Sequence, residues 1–214
     1  MRASTGSDAG EEEMEKELYN FYAMLDRMQY IQRWGLMRNT RTENLKEHSF
    51  DVAVIAHSLA LIHNRILKKD PVDPFLTMGE ALYHDVTEII TGDMPTPIKY
   101  KNQQLKTAYK EVEAQAAENI LQLLPDQIKP DYKELLLPDL SDEKRKEVHR
   151  LVKAADRLSA FLKCLMEEKA SNDEFRSAKD TIEASIHALN CEEAEYYLAH
   201  FVPPYGMTLD EISQ

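Results

Sequence analysis

Apolar residues recur every three or four positions along most of this chain and almost nowhere alternate. That pattern points to helices packed on helices rather than to a sheet. Met14, Leu18, Phe21, Leu25 and Met28 trace one stripe, which predicts an amphipathic helix over 14–28. Val52, Ile55, Leu59 and Ile62 mark a second helix over 45–67, after a polar connection at 39–43. Asp70-Pro71 and Asp73-Pro74 end it. A third helix is expected over 76–90. The run Thr91-Gly92-Asp93-Met94-Pro95-Thr96-Pro97 stops it, because glycine readily ends helices and proline cannot continue one. Further helices are expected over 103–124, between Pro125 and Pro130, from Ser141-Asp142 through Leu165, and over 174–189 and 192–201. Only six glycines occur in 214 residues, with no repeat and no linker long enough to divide the chain. The expectation is one all-α domain over 14–214, a single helical bundle, behind a short disordered leader at 1–13.

Charge narrows the partners. Lys and Arg number 26 against 38 Asp and Glu, a formal net charge of −12. Such a field repels polymeric nucleic acid, yet a small anion remains acceptable where a bound metal inverts the local potential. No apolar run is long enough for a membrane span, and the N-terminus lacks the apolar stretch of a secretory signal. Cys164 and Cys191 form no CxxC pair, so a reducing compartment, the cytoplasm, is expected.

The clearest chemical signal is His84-Asp85 inside Ala81-Leu82-Tyr83-His84-Asp85-Val86-Thr87-Glu88. On a continuous helix the two side chains point about 100° apart and can flank one ion. Glu88, three and four residues on, shares their face. Ionisable groups beside a core-facing apolar stripe are costly to bury unless something such as a metal offsets the charge. Two further ligands are needed, and His48 and Asp156 are candidates: His48 opens the second helix, and Asp156 lies mid-helix among small and apolar neighbours. Two imidazoles and two carboxylates suit a transition metal better than Ca²⁺ and leave room for water and a phosphate oxygen.

His48…His84-Asp85…Asp156 resembles the H…HD…D signature of the HD-domain phosphohydrolase superfamily. The longer strings Arg33-Trp34, Glu47-His48-Ser49, His84-Asp85 with Glu88, and Gly92-Asp93-Met94-Pro95-Thr96-Pro97 resemble the bacterial 5′-deoxynucleotidase branch of it. The resemblance runs from about Tyr22 to Gln214 and implies hydrolysis of 5′-deoxynucleoside monophosphates to deoxynucleoside and phosphate. It implies one divalent ion per chain, Co²⁺, Mn²⁺ or Cu²⁺ ahead of Zn²⁺, Fe²⁺ or Mg²⁺, held by His48, His84, Asp85 and Asp156. It makes Glu88 the catalytic carboxylate for the attacking water and Arg33 the grip on phosphate. It places Trp34 against the sugar, where it would exclude a 2′-hydroxyl. Asp93, Met94, Pro95 and Thr96 would face the nucleoside, with Asp93 also a candidate catalytic group at the leaving oxygen; His48, Asp85 and Asp156 would line the substrate as well. The resemblance further implies a homodimer.

Each residue also has a plainer reading. His48 alone is more often a helix-surface or capping-region histidine, and Asp156 a buried acid paired with Lys153 or Arg157. Glu88 is by default a solvated helix glutamate, Arg33 and Arg38 surface cations, Trp34 a core or interface anchor. His57, His63, His149, His187 and His200 match no ligand position and are taken as structural or exposed. Two rival functions keep the fold: hydrolysis of deoxynucleoside triphosphates or an alarmone, and a non-catalytic protein stabilised by its metal. The first needs more cations than Arg33, Arg38, Arg41 and Lys99 supply; the second has no use for Glu88 beside an open coordination position.

Overall fold

The computed structural model describes residues 17–94 and 102–213. Within them the chain is helical, and the only β pairing is an isolated antiparallel bridge between Gln32 and Asn44. The leader at 1–13, the start of the first expected helix, and Pro95 through Tyr100 lie outside the described residues.

Helix α1 (Phe21–Leu25) runs into a 3-10 turn, Asp26–Tyr30. Among the described residues the single amphipathic helix expected here is therefore shorter and tighter, and Leu18 is exposed. Phe21 and Met28, the buried members of the stripe, still pack into one apolar cluster.

Helix α2 (Leu45–Leu61) is started by a capping box. Asn44 Oδ1 accepts from Glu47 N at 3.0 Å and Glu47 Oε2 accepts from Asn44 N at 3.1 Å, so both orphan donors are satisfied. A π-turn, Ile62–Ile66, carries the same rod to its expected end.

Helix α3 (Pro74–Tyr83) has Asp73 as N-cap and Pro74 in its first turn. It stops earlier than the apolar pattern suggested. A turn at 84–87 intervenes before the four-residue α4 (Glu88–Thr91), which ends at Gly92 with φ +73°.

Helices α5 (Gln103–Leu121), α6 (Lys129–Leu136), α7 (Glu143–Lys169), α8 (Arg176–His187) and α9 (Glu192–His200) follow, and a short α10 (Leu209–Ile212) closes the described chain. Pro130 starts α6 rather than bounding it, because proline's missing N–H costs nothing in a first turn. The α8 segment begins with a 3-10 turn at Asp173–Phe175.

Two apolar clusters hold these elements. The larger joins α2, α3, α7, α8 and α9 through residues such as Val52, Ile55, Leu59, Leu151, Leu158 and Ile186. The smaller joins the N-terminal turns, Leu45, Val86 and the end of α5. Helix α2 lies against both α3 and α7. His48 near the start of α2, His84 and Asp85 just past α3, and Asp156 in the middle of α7 are thereby brought to one place. Among the described residues no helix is long and apolar enough to cross a membrane.

Candidate active site

The break at the end of α3 decides how His84 and Asp85 are presented. Val86 N donates to Tyr83 O at 3.1 Å, Glu88 N to Asp85 O at 3.0 Å and Ile89 N to Val86 O at 3.2 Å. These i→i+3 bonds tighten the chain towards three residues per turn, which eclipses positions three apart and aligns Asp85 with Glu88. At the helix end Ala81 O is free to accept His84 Nδ1–H at 2.7 Å. That bond fixes the ring so that Nε2 faces inward.

His48 comes from the buried face of α2 and is fully buried. Its Nδ1 lies 3.2 Å from Ser159 Oγ on α7, and its Nε2 lies 3.1 Å from Asp156 Oδ1 and 3.7 Å from Asp85 Oδ2. His84 Nε2 is 3.0 Å from Asp85 Oδ2 and 4.0 Å from Asp156 Oδ1. One ligand atom each from His48, His84 and Asp85 all lie within 4.8 Å of one another; Asp156 borders this set through the two imidazoles. The two rings stand 5.4 Å apart.

The donor set tests well against a divalent ion. His84 Nε2 is buried and makes no hydrogen bond, although Asp85 is near, because the contact lacks the required angle. A buried nitrogen aimed at carboxylates and already held from its other side is what a metal-binding imidazole needs.

Electrostatics say the same. Burial works against a proton on His84, but Asp85 beside it prevails and the imidazole is pushed up to about 9. Asp85 is likewise held well below the usual carboxylate range, despite burial, by His84, His48 and Arg33. Asp156 is lowered too, against burial, through its bond from His48. In the ion-free protein a proton thus supplies part of the positive charge that these carboxylates demand.

Arg33 reaches the cluster from the strap that joins the 3-10 turn to α2. Its NH1 is 3.4 Å from Asp85 Oδ2 and its Nε donates to Glu43 Oε2 at 3.2 Å. Burial disfavours its charge, but Asp85, Asp156, Glu43 and Asp93 together raise its pKa. Trp34, next along, takes φ +58°, a left-handed conformation that costs a bulky residue about 1–2 kcal/mol. Its indole N–H donates to the same Glu43 oxygen at 2.9 Å, and its ring meets Phe175 at 5.4 Å. Such strain persists only where the surroundings hold it.

Glu88 is buried, at 6% exposure, rather than solvated, but stands outside the close ligand set. Met94 is half-buried beside Asp93, whereas Pro95 and Thr96 fall outside the described residues. The plain pairing for Asp156 does not occur with Arg157, which turns away to Ser185 O at 2.6 Å.

Sequence reasoning missed Glu43, Ser159, Glu167 and Phe175. Ser159 had a signal, lying three residues from Asp156 on the same helix face. Glu167 had none: its buried carboxylate accepts from Thr40 N and Oγ1 at 2.9 and 2.6 Å, from Arg41 N at 3.2 Å and from Asn172 Nδ2 at 2.8 Å, and it also binds Lys163, pinning the far part of the strap.

A second group, His63, Glu147 and Glu193, has metal-type ligands at close range. There Glu193 already accepts from Lys69 and Arg150 at 2.8 Å each, and His63 bonds Glu193 and Asp70 O. Side-chain cations fill it, and it ties α7, α9 and the π-turn together.

The chain is similar to known proteins. A family model described as 5′-deoxynucleotidase YfbR-like matches residues 20–205. A 5′-deoxynucleotidase of Pectobacterium atrosepticum is 44% identical over 195 residues, covering 91% of this chain and 96% of that protein. One from Shewanella oneidensis is 42% identical over 91% of this chain and 98% of its own.

Among solved structures, an HD-domain phosphohydrolase from Listeria innocua superposes with a TM-score of 0.73 at 22% identity, covering 87% of this chain and 88% of that one. The cyanophage S-2L HD phosphohydrolase DatZ, solved bound to dA and one catalytic Zn²⁺ ion, gives 0.59 at 19% identity, covering 85% and 95%. At these identities the structural likeness establishes the fold. The family match and the close relatives establish the rest: the chain belongs to the YfbR-like 5′-deoxynucleotidase family, built on the HD-domain phosphohydrolase fold.

Proposed function

We propose that this cleft carries out the family's reaction, hydrolysis of a 5′-deoxynucleoside monophosphate to deoxynucleoside and phosphate, with one divalent ion held by His48, His84, Asp85 and Asp156. The observation that carries this reading is the buried His84 Nε2, fixed from behind by Ala81 O and set among Asp85, His48 and Arg33 without a hydrogen bond of its own. When bound, the ion supplies Lewis acidity to a phosphate oxygen and lowers the pKa of water.

The chain's own side chains do the rest. Arg33, its Nε occupied by Glu43, offers its remaining N–H groups to the equatorial phosphate oxygens. Glu88 orients water for in-line attack and takes its proton. Trp34 walls the sugar where a 2′-hydroxyl would stand. We take Asp93 and Met94 as contacts of the nucleoside, together with Pro95 and Thr96, which lie outside the described residues, and Asp93 as the acid that protonates the leaving 5′-oxygen. A polyphosphate substrate fits less well, since Arg38 is exposed and turned to Glu174.

Phe50, Val54 and Leu61 form an exposed stripe along α2, continued by Phe75 of α3 beside His57. We read this stripe as the contact of a homodimer, checked by sedimentation of the wild type and Phe50→Glu. The buried, unpaired cysteines fit a cytoplasmic protein.

Phosphate release from dAMP and dTMP with Mn²⁺ or Co²⁺ should be abolished by EDTA. Glu88→Gln should lower kcat by about 10²–10⁴-fold while metal affinity stays within a few-fold. Activity that survives chelation, or that is equal in Glu88→Gln and wild type, would overturn the reading.

A further inference from the structure

Glu43 ends the strap that carries Arg33 and Trp34, and it is 9% exposed. A single carboxylate oxygen, Oε2, accepts from Arg33 Nε and from Trp34 Nε1. The Glu43 carbonyl also accepts from Arg33 N at 2.9 Å, while Leu45 N donates to Ile31 O at 2.9 Å. These backbone bonds close the bridge between Gln32 and Asn44, so the strap's two ends are locked beside each other at this residue. Trp34 itself sits in a left-handed conformation that favours glycine. Its backbone is held by Met37 N and Asn39 Nδ2 on the Trp34 carbonyl, at 2.9 and 3.3 Å, and its side chain by Glu43 on the indole N–H and Phe175 against the ring.

Resting on the function proposed above, we infer that Glu43 is a positioning residue for sugar selectivity: it fixes the phosphate-gripping guanidinium and the sugar-facing indole as one rigid pair. In a nucleotide the distance from the 5′-phosphate to C2′ is confined to a narrow range. A wall that excludes an added hydroxyl works only if it cannot retreat when the phosphate is seated, and specificity of this kind depends on the clash being retained. With its indole N–H released, the Trp34 ring can swing outward, and the ribonucleotide gains room. Arg33 would lose its fixed approach in the same step, because both side chains lean on one oxygen.

The test compares kcat/KM for dAMP and AMP in the Mn²⁺-loaded wild type, Glu43→Met, which keeps the length of the side chain but has no oxygen to accept, Trp34→Phe and the double variant. Trp34→Phe keeps an aromatic wall but removes the N–H. The wild type should prefer dAMP, and each single variant should lose tenfold or more of that preference. The double variant should lose little beyond either, as expected for residues acting through one contact.

A readout independent of turnover is available because Trp34 is the only tryptophan in the chain. In metal-stripped protein, acrylamide should quench its fluorescence more strongly in Glu43→Met than in wild type. Equal losses on both nucleotides with the ratio unchanged, or unchanged quenching, would overturn this role for Glu43 and leave the deoxynucleotidase reading intact. A wild type that releases phosphate from neither nucleotide would overturn both. Should Glu43→Met fail to fold, Trp34→Phe alone decides: an unaltered dAMP preference refutes the proposal.

Discussion

Replacing Ser159 by alanine isolates the support behind one imidazole. Ser159 Oγ is 3.2 Å from His48 Nδ1, and both residues are buried. Without an ion, Nε2–H donates to Asp156; when an ion takes the Nε2 lone pair, the hydroxyl lets Nδ1 carry the proton and donate it. Without the hydroxyl, Nδ1–H has no acceptor in a dry setting, and the ring does better by keeping its proton on Nε2, where Asp156 accepts it. A metal must then displace that proton and move it to an unfavourable nitrogen.

Loss of such an outer partner typically weakens metal affinity about 10–100-fold, or roughly 1.4–2.7 kcal/mol. The hydrogen bond itself contributes only about 0.5–1.5 kcal/mol to folding. For a chain of this size that is a Tm decrease of roughly 1–6 °C, so the protein should still fold. Calorimetric titration of EDTA-stripped protein with Mn²⁺ gives the affinity directly. Ser49→Ala is the matched control: Ser49 is a buried neighbour of His48 whose Oγ has no hydrogen-bond partner among the described residues. If Ser159→Ala binds Mn²⁺ as tightly as wild type, or if Ser49→Ala weakens it equally, the assigned role of Ser159 is wrong.

Stripped protein should also respond to pH in a defined direction. His84 is raised from 6.5 to about 9, so its contribution is complete below pH 6.5 and fades as pH rises through 9. Asp85 is lowered, so its contribution is present above pH 3.8 and fades on acidification. The Tm of EDTA-treated protein should therefore fall between pH 6.5 and 9, and the Tm gain on adding Mn²⁺ should be larger at pH 8.5 than at pH 6; a gain that shrinks with pH contradicts the His84 assignment. Glu167→Ala strips the strap of a carboxylate that is only 1% exposed and should destabilise by about 3–5 kcal/mol, seen in urea unfolding. A loss under 1 kcal/mol there would show that the strap does not depend on it.

Most helices were legible because their signals are local. The stripe Val52, Ile55, Leu59 and the Asp142 start each involve residues within one or two turns. The same locality misled at 84–87. An apolar stripe cannot distinguish an α-helix from a tighter turn there, because the choice depends on where His84 Nδ1 and the Ala81 carbonyl find their bonds. The proline bounding the helix expected before residue 130 was misplaced for a similar reason: proline is compatible with a first turn as well as with a stop.

By itself the sequence determined the all-helical class, the order of the helices and, through resemblance, the residues to examine: His48, His84, Asp85, Asp156 and Glu88. Only the tertiary structure decided that α2, the end of α3 and α7 meet closely enough to bring His48 Nε2 within 3.1 Å of Asp156 and His84 Nε2 within 3.0 Å of Asp85. It alone revealed the supports behind them, Ser159, Ala81 O, Glu43 and Glu167, which lie up to 127 positions from the groups they hold. Helical periodicity arises from near neighbours and is written along the chain. Which side chain stands behind an imidazole depends on how whole helices pack, and short-range pattern does not carry that information.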